Sequence, residues 1–231
     1  MAFCLDLRFC QPLGADKDFL EIMQYNNIYE LDIRGIDFKY DINPDLGHLT
    51  SLRRLAISYY SSKPPTAYNF ISGLTRLNSL IIERAWHPSD TQQQLDLTYL
   101  LPLTNLKELA VQPFNEYDSV IRPITKLISL KTLILNYGFR VEISDLDPAD
   151  FTVLTNLKVL NIRGLEFESQ NNMHKLKNVK WQTSLERIIY PGGADLAKYN
   201  PIWVESPTTK YKVGETIVMD VFNSDHKCGF Y

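Results

Sequence analysis

The chain has 231 residues, with 24 Lys and Arg against 27 Asp and Glu and a net charge of −3. A nucleic-acid-binding domain normally carries a clustered excess of basic residues, so this balance argues against that class. The longest uncharged runs, such as LTYLLPLTNL, fall far short of the ~20 apolar residues that a membrane helix needs.

The first segment, MAFCLDLRFC, acquires Asp6 at once and lacks a basic leader, so it does not read as a signal peptide. The three cysteines, Cys4, Cys10 and Cys228, show no metal-like CxxC spacing. Cys4 is assigned to an inward-facing position, and the thiols are read as reduced and structural, which predicts a cytoplasmic protein. No Asn-x-Ser/Thr acceptor occurs, in keeping with that location. Residues 16–25, DKDFLEIMQY, have helical spacing, with Phe19, Leu20, Ile22 and Met23 on one side.

From there one apolar ladder recurs seven times: NIYELDI, LTSLRRLAI, LTRLNSLII, LTNLKELAV, LISLKTLIL, LTNLKVLNI and, more loosely, WQTSLERIIY. Aligned on the residue that opens the final L-x-L pair, the copies fall at Leu31, Leu55, Leu80, Leu109, Leu133, Leu160 and Ile188. An eighth, degenerate copy is placed at Leu7. The steps are then 24, 24, 25, 29, 24, 27 and 28 residues, a period that marks stacked repeats. In TYLLPLTNLKELAVQPF, Leu100, Leu103, Leu106 and Leu109 recur every third residue, and Val111 follows two later. That switch of period predicts a helix-like turn leading into a strand. No single repeat closes its own core, so the leucines bury only when neighbours stack.

Between the copies, Ser61-Ser62-Lys63-Pro64-Pro65 and RAWHPSDTQQQ read as loops, and Asp147-Pro148 reads as a helix entry with Asp as cap. After Gly192 the pattern stops. Residues 192–231, with a strand-like run at 216–222, are read as a terminal cap or a small partner-binding appendage.

The L-x-x-L-x-L strings at this period resemble the leucine-rich repeat family over residues 1–191, as about seven to eight repeats. The resemblance implies an α/β solenoid, or horseshoe. One parallel sheet would line its concave face, helices or irregular segments its convex face, and its work would be gripping another macromolecule. The family motif continues to an Asn or Cys five residues after the aligned Leu. Here those positions hold Ile36, Tyr60, Ala85, Phe114, Gly138 and Leu165, so no asparagine ladder stands there.

The repeat register maps the concave surface in columns. The column before the aligned residue holds Asp6, Glu30, Arg54, Ser79, Glu108, Thr132, Val159 and Arg187. The next holds Arg8, Asp32, Ala56, Ile81, Ala110, Ile134, Asn161 and Ile189. The third holds Cys10, Arg34, Ser58, Glu83, Gln112, Asn136, Arg163 and Pro191, with Tyr59, Arg84 and Tyr137 beyond it. Ala56, Ile81, Ala110 and Ile134 would make an apolar stripe open to water within a polar border, the anatomy of a protein-binding patch. The bland alternative is that Ile is simply a good strand residue. The binding set is therefore Arg54, Ala56, Ser58, Tyr59, Ile81, Glu83, Arg84, Glu108, Ala110, Gln112, Ile134, Asn136, Tyr137, Asn161 and Arg163. Ile81→Asp with Ile134→Asp is expected to leave folding intact and abolish binding. The charged end, from Asp6 to Arg54, reads equally as a solvated face with lateral pairs or a docking site.

Catalytic groupings are sparse. His48, His87, His174 and His226 do not pair at metal-ligand spacing, and no glycine-rich phosphate loop or G-x-S-x-G occurs. Cys4-Leu5-Asp6 matches the Cys-x-Asp of ubiquitin ligases found in some bacterial leucine-rich repeat proteins, but it sits in the first strand. The expectation is a non-catalytic interaction module without cofactor or metal, monomeric alone, binding a partner protein as an inhibitor or immunity protein. An adaptor or host-directed effector with two surfaces is the alternative, and an enzyme using the terminal segment is a third.

Overall fold

The computed structural model describes residues 3–6, 24, 27–35, 46–60, 65–85, 96–112, 117–135, 148–162, 179–190 and 203–205. Its strands are β1 Phe3–Asp6, β2 Ile28–Asp32, β3 Arg54–Tyr60, β4 Ser79–Ala85, β5 Glu108–Val111, β6 Thr132–Leu135, β7 Val159–Asn161, β8 Arg187–Tyr190 and β9 Trp203–Glu205. All nine pair parallel, and their order in the sheet is their order in the chain. The sheet does not close, and it lines the concave face of a solenoid.

The period-three leucines build the turn that feeds each strand. Leu103 N donates to Leu100 O at 2.9 Å and Leu106 N to Leu103 O at 3.0 Å, and Leu154 N to Phe151 O and Leu157 N to Leu154 O follow the same geometry. Such i to i−3 bonds eclipse side chains three residues apart, so every third residue faces the core. At the strand entrance two successive amides share one carbonyl of the preceding repeat. Lys107 N and Glu108 N both donate to Asn78 O, at 2.8 and 3.0 Å. Lys131 and Thr132 do so to Lys107 O, and Lys158 and Val159 to Lys131 O. These bonds pin each repeat's register to the one before it.

Leu31, Leu55, Leu80, Leu109, Leu133, Leu160 and Ile188 all lie in one continuous core. The register pairs Leu31 with Leu55, Leu55 with Leu80, Leu80 with Leu109, Leu109 with Leu133, Leu133 with Leu160 and Leu160 with Ile188. The expected alignment of these seven positions is thus the observed one. Among the described residues, the opposite edge of the core holds the 3-10 segments Pro65–Gly73, Thr98–Leu100 and Pro148–Val153 and the α-helix Tyr117–Ile124. The segment after Asp147 is therefore a 3-10 turn and not an α-helix.

An amide ladder does exist, at a different place from the family's usual position. Asn105 Nδ2 donates to Thr75 O at 3.1 Å, and Asn156 Nδ2 donates to Ile128 O at 2.9 Å. Both asparagines belong to L-T-N-L turns, where each satisfies a carbonyl one repeat back.

The amino-terminal rung departs from the expectation. Leu5, not Leu7, pairs with Leu31, so Cys4 pairs with Glu30 and Asp6 with Asp32, after a register shift between Phe3 and Cys4. Cys4 therefore shares the face of Glu30 and is not inward-facing. It is also disulfide-bonded, which overturns the reading of a reduced thiol. Its sulfur lies 3.6 Å from Glu30 Oε2, a contact without a proton to share. At the other end β9 falls within the 192–231 segment and continues the same sheet beside β8. The helix expected at 16–25 and the strand expected at 216–222 lie outside the described residues, apart from residue 24.

Candidate functional site

From β2 to β8 the first two columns assemble on one sheet face as the register predicts, and one pair of the third is in place. In the first, Glu30, Arg54, Ser79, Glu108, Thr132, Val159 and Arg187 stand side by side. In the second, Asp32, Ala56, Ile81, Ala110, Ile134, Asn161 and Ile189 do. Ser58 pairs with Glu83 in the third. Asn136, Tyr137 and Arg163 lie outside the described residues, as do Arg8 and Cys10.

The apolar stripe is real, but it is not open to water. Ala56, Ile81, Ala110 and Ile134 form a small cluster separate from the leucine core, with exposures of 0, 1, 4 and 4 %. Neighbouring strands stand about 4.8 Å apart, close enough for these four side chains to pack on one another. The stripe therefore acts as a second, shallow core on the concave side. With both isoleucines buried, the Ile81→Asp and Ile134→Asp pair would not leave folding intact. What stays partly accessible is the border: Arg54, Glu83, Glu108, Gln112 and Thr132 are half-buried and Arg187 is exposed. A narrow recess opens beside Ala110, lined by Ile81, Ile82, Glu83, Ala110, Val111, Gln112 and Ile134.

Tyr59 is a correction of a different kind. It alternates with Ser58 along β3 and so points into the leucine core, where its ring lies 5.2 Å from that of Tyr68. Tyr68 OH accepts from Tyr60 N at 2.9 Å. Arg84 stands in register with Tyr59. Nearby, burial pushes the Tyr99 hydroxyl well above its ordinary range, helped by Tyr68, Tyr59 and Asp96.

Among the described residues of the charged end, Glu30, Asp32, Arg34 and Arg54 are ion-paired, and the Asp32–Arg34 pair is buried, not solvated. Arg34 Nη2 donates to Asp32 Oδ2 at 2.7 Å, with both side chains buried, and Arg34 Nη1 reaches Glu83 Oε2 at 3.5 Å. Arg54 Nη1 lies 3.6 Å from Glu30 Oε1. Gly35, at φ 77°, turns the chain after β2 and donates its N–H to Ser58 Oγ at 2.8 Å. That left-handed conformation is one glycine adopts without steric cost. At the far end of the face's edge, Lys158 holds the exposed Glu186 carboxyl below its usual range through a direct hydrogen bond.

No group of three His, Cys, Asp or Glu side chains among the described residues is placed to hold a metal. A disulfide sulfur is no nucleophile, which removes Cys4 as a Cys-x-Asp catalyst. His48 is exposed on the turn before β3, and the other histidines lie outside the described residues. No described helix is long and apolar enough to cross a membrane. Ser79 and Thr132 were legible in the first column but absent from the expected binding set; both flank Glu108.

No protein-family model matches the sequence, and no curated protein is similar to it in sequence. Solved structures are similar in fold. Human 5T4 (trophoblast glycoprotein, Wnt-activated inhibitory factor 1) superposes with a TM-score of 0.55 at 19% identity, covering 77% of this chain and 68% of that one. The fold is that of a leucine-rich repeat protein. An internalin, inlF, of Listeria monocytogenes matches at TM-score 0.46 and 18% identity, covering 82% of this chain. This chain spans 46% of that internalin and 62% of the internalin inlC2, from the same organism.

Proposed function

We propose that this leucine-rich repeat chain is a non-catalytic module that binds a partner protein on its concave sheet, acting by occupancy as an inhibitor or immunity protein does. The observation that carries this reading is the two-faced sheet. One face is consumed by the leucine core, and the other presents ordered rows of charged, hydroxyl and amide groups around a buried apolar spine. The border residues, and not the stripe itself, are the contact surface. Tyr59 drops out of the binding set because the core holds it. A rigid floor beneath polar groups reduces the ordering cost of association, which favours binding as the activity.

An adaptor with two surfaces finds support in Leu101, Ile128 and Val153, large apolar side chains exposed on turns of three successive repeats, away from the sheet. The test compares the two. Affinity capture from the source cells should yield a partner that Thr132→Arg releases and Thr104→Arg, on the opposite turn, retains. Release by Thr104→Arg with retention by Thr132→Arg would reject the concave-face reading. The Cys4 disulfide further favours an oxidising compartment over the cytoplasm.

A further inference from the structure

Lys107, Lys131 and Lys158 hold one position in three successive repeats, the second residue before the aligned leucine. The backbone stacks them directly. Lys131 N donates to Lys107 O at 2.7 Å, and Lys158 N donates to Lys131 O at 2.8 Å. Neighbouring strands stand about 4.8 Å apart, so three lysine stems leave one edge of the sheet within about 10 Å. All three side chains are exposed. Like charges side by side on a sheet repel, so stability does not account for the row. Only one end of it is neutralised: Glu186 takes the same position in the next repeat and pairs with Lys158. Among the described residues neither Lys107 nor Lys131 makes an ion pair. An apolar group stands beside them. Ile128, three residues before Lys131, is 59 % exposed, the most of any large apolar side chain among the described residues. Its turn is closed by Leu130 N donating to Leu127 O at 3.0 Å, and residues three apart in such a turn leave on one side. The flanking repeats place Thr104 and Thr155 where Ile128 stands, both exposed.

We propose that Lys107, Lys131 and Ile128 form a docking surface, at the edge where the strands begin, for an acidic amphipathic helix of a partner protein. This goes beyond the concave-face reading and does not depend on it. Lys158 already has Glu186, so the partner supplies two carboxylates, one for each remaining ammonium. Side chains at i and i+4 of a helix stand about 5–6 Å apart, close to the strand spacing that separates Lys107 from Lys131. An extended strand sets its same-face side chains about 7 Å apart and matches the row less well. Ile128 decides between a helix and a bare polyanion. An apolar residue at i+3 of the helix packs on it beside the carboxylates, whereas a phosphate or sulfate chain has nothing to bury there. The net charge of −3 also disfavours a nucleic acid.

The experiment titrates the full chain with an alanine-rich helical peptide of about 20 residues, carrying glutamates at i and i+4 and a leucine at i+3, and follows backbone amides by NMR. Saturable shifts centred on Lys107, Ile128 and Lys131 in the millimolar range are expected. They should weaken about tenfold when Lys107→Gln and Lys131→Gln are combined and about threefold in Ile128→Ser, and added salt should weaken them too. The same peptide with glutamines in place of its glutamates should not produce them. No shift at these amides, equal binding of the glutamine peptide, or unchanged binding to the double variant would each overturn the proposal. So would inorganic polyphosphate shifting the same amides as strongly in Ile128→Ser as in the native chain, which would assign the row to a polyanion.

Discussion

At the scale of single residues, the buried members of the concave face decide more than its exposed ones. Ile81 is 1 % exposed, so Ile81→Asp should destabilise the fold by about 4 kcal/mol or more, read as a fall in the urea midpoint. Asp32→Asn should cost about 1.5–3 kcal/mol, because it neutralises the nearer of the two carboxylates, Asp32 and Glu83, that face the buried Arg34 guanidinium. An unchanged midpoint for Asp32→Asn would mean that the Arg34 pair is solvated. Tyr99 behaves oppositely. Its hydroxyl is buried without a hydrogen-bond partner, so Tyr99→Phe should leave stability unchanged or raise it. Its folded pKa is raised above the ordinary tyrosine value of about 10. Both states hold the proton below that value. Above it the unfolded chain ionises first, so stability falls as pH rises toward the folded value, and Tyr99→Phe should flatten that loss.

At the scale of the repeat, one leucine serves two neighbours. Leu133 lies between Leu109 and Leu160 in register, wholly buried. Leu133→Ala should cost about 2–5 kcal/mol, and hydrogen exchange should rise in β5 and β7 together with β6. Faster exchange confined to β6 would show that the rungs are independent. The Asn156 side chain contributes less, since its bond to Ile128 O is exposed; Asn156→Ala should lower stability by about 1 kcal/mol.

At the scale of the molecule, the sheet runs unbroken from β1 to β9, and the amino-terminal rung is tied by a disulfide at Cys4. With three cysteines in the chain, thiol titration of the unfolded, unreduced protein should find one free thiol. Finding three would restore the reduced-thiol reading and with it a cytoplasmic home.

Strand identity, the inward leucines and the order of the concave columns were all legible in the sequence from Glu30 to Arg187. Each depends on local periodicity, and a parallel sheet of near-identical rungs has no freedom to shuffle them. The amino-terminal register was not, because CLDLRF offers two leucines two residues apart and only pairing with Leu31 selects Leu5. Tyr59 was misread because its position was taken from the column edge and not from the alternation of the strand. Exposure was beyond reach for a deeper reason. Periodicity tells which face of a sheet a side chain leaves from, but whether water reaches it depends on the bulk of residues tens of positions away. Ala56, Ile81, Ala110 and Ile134 face away from the leucine core as their spacing demands, and only the packing of separate repeats closes water out above them.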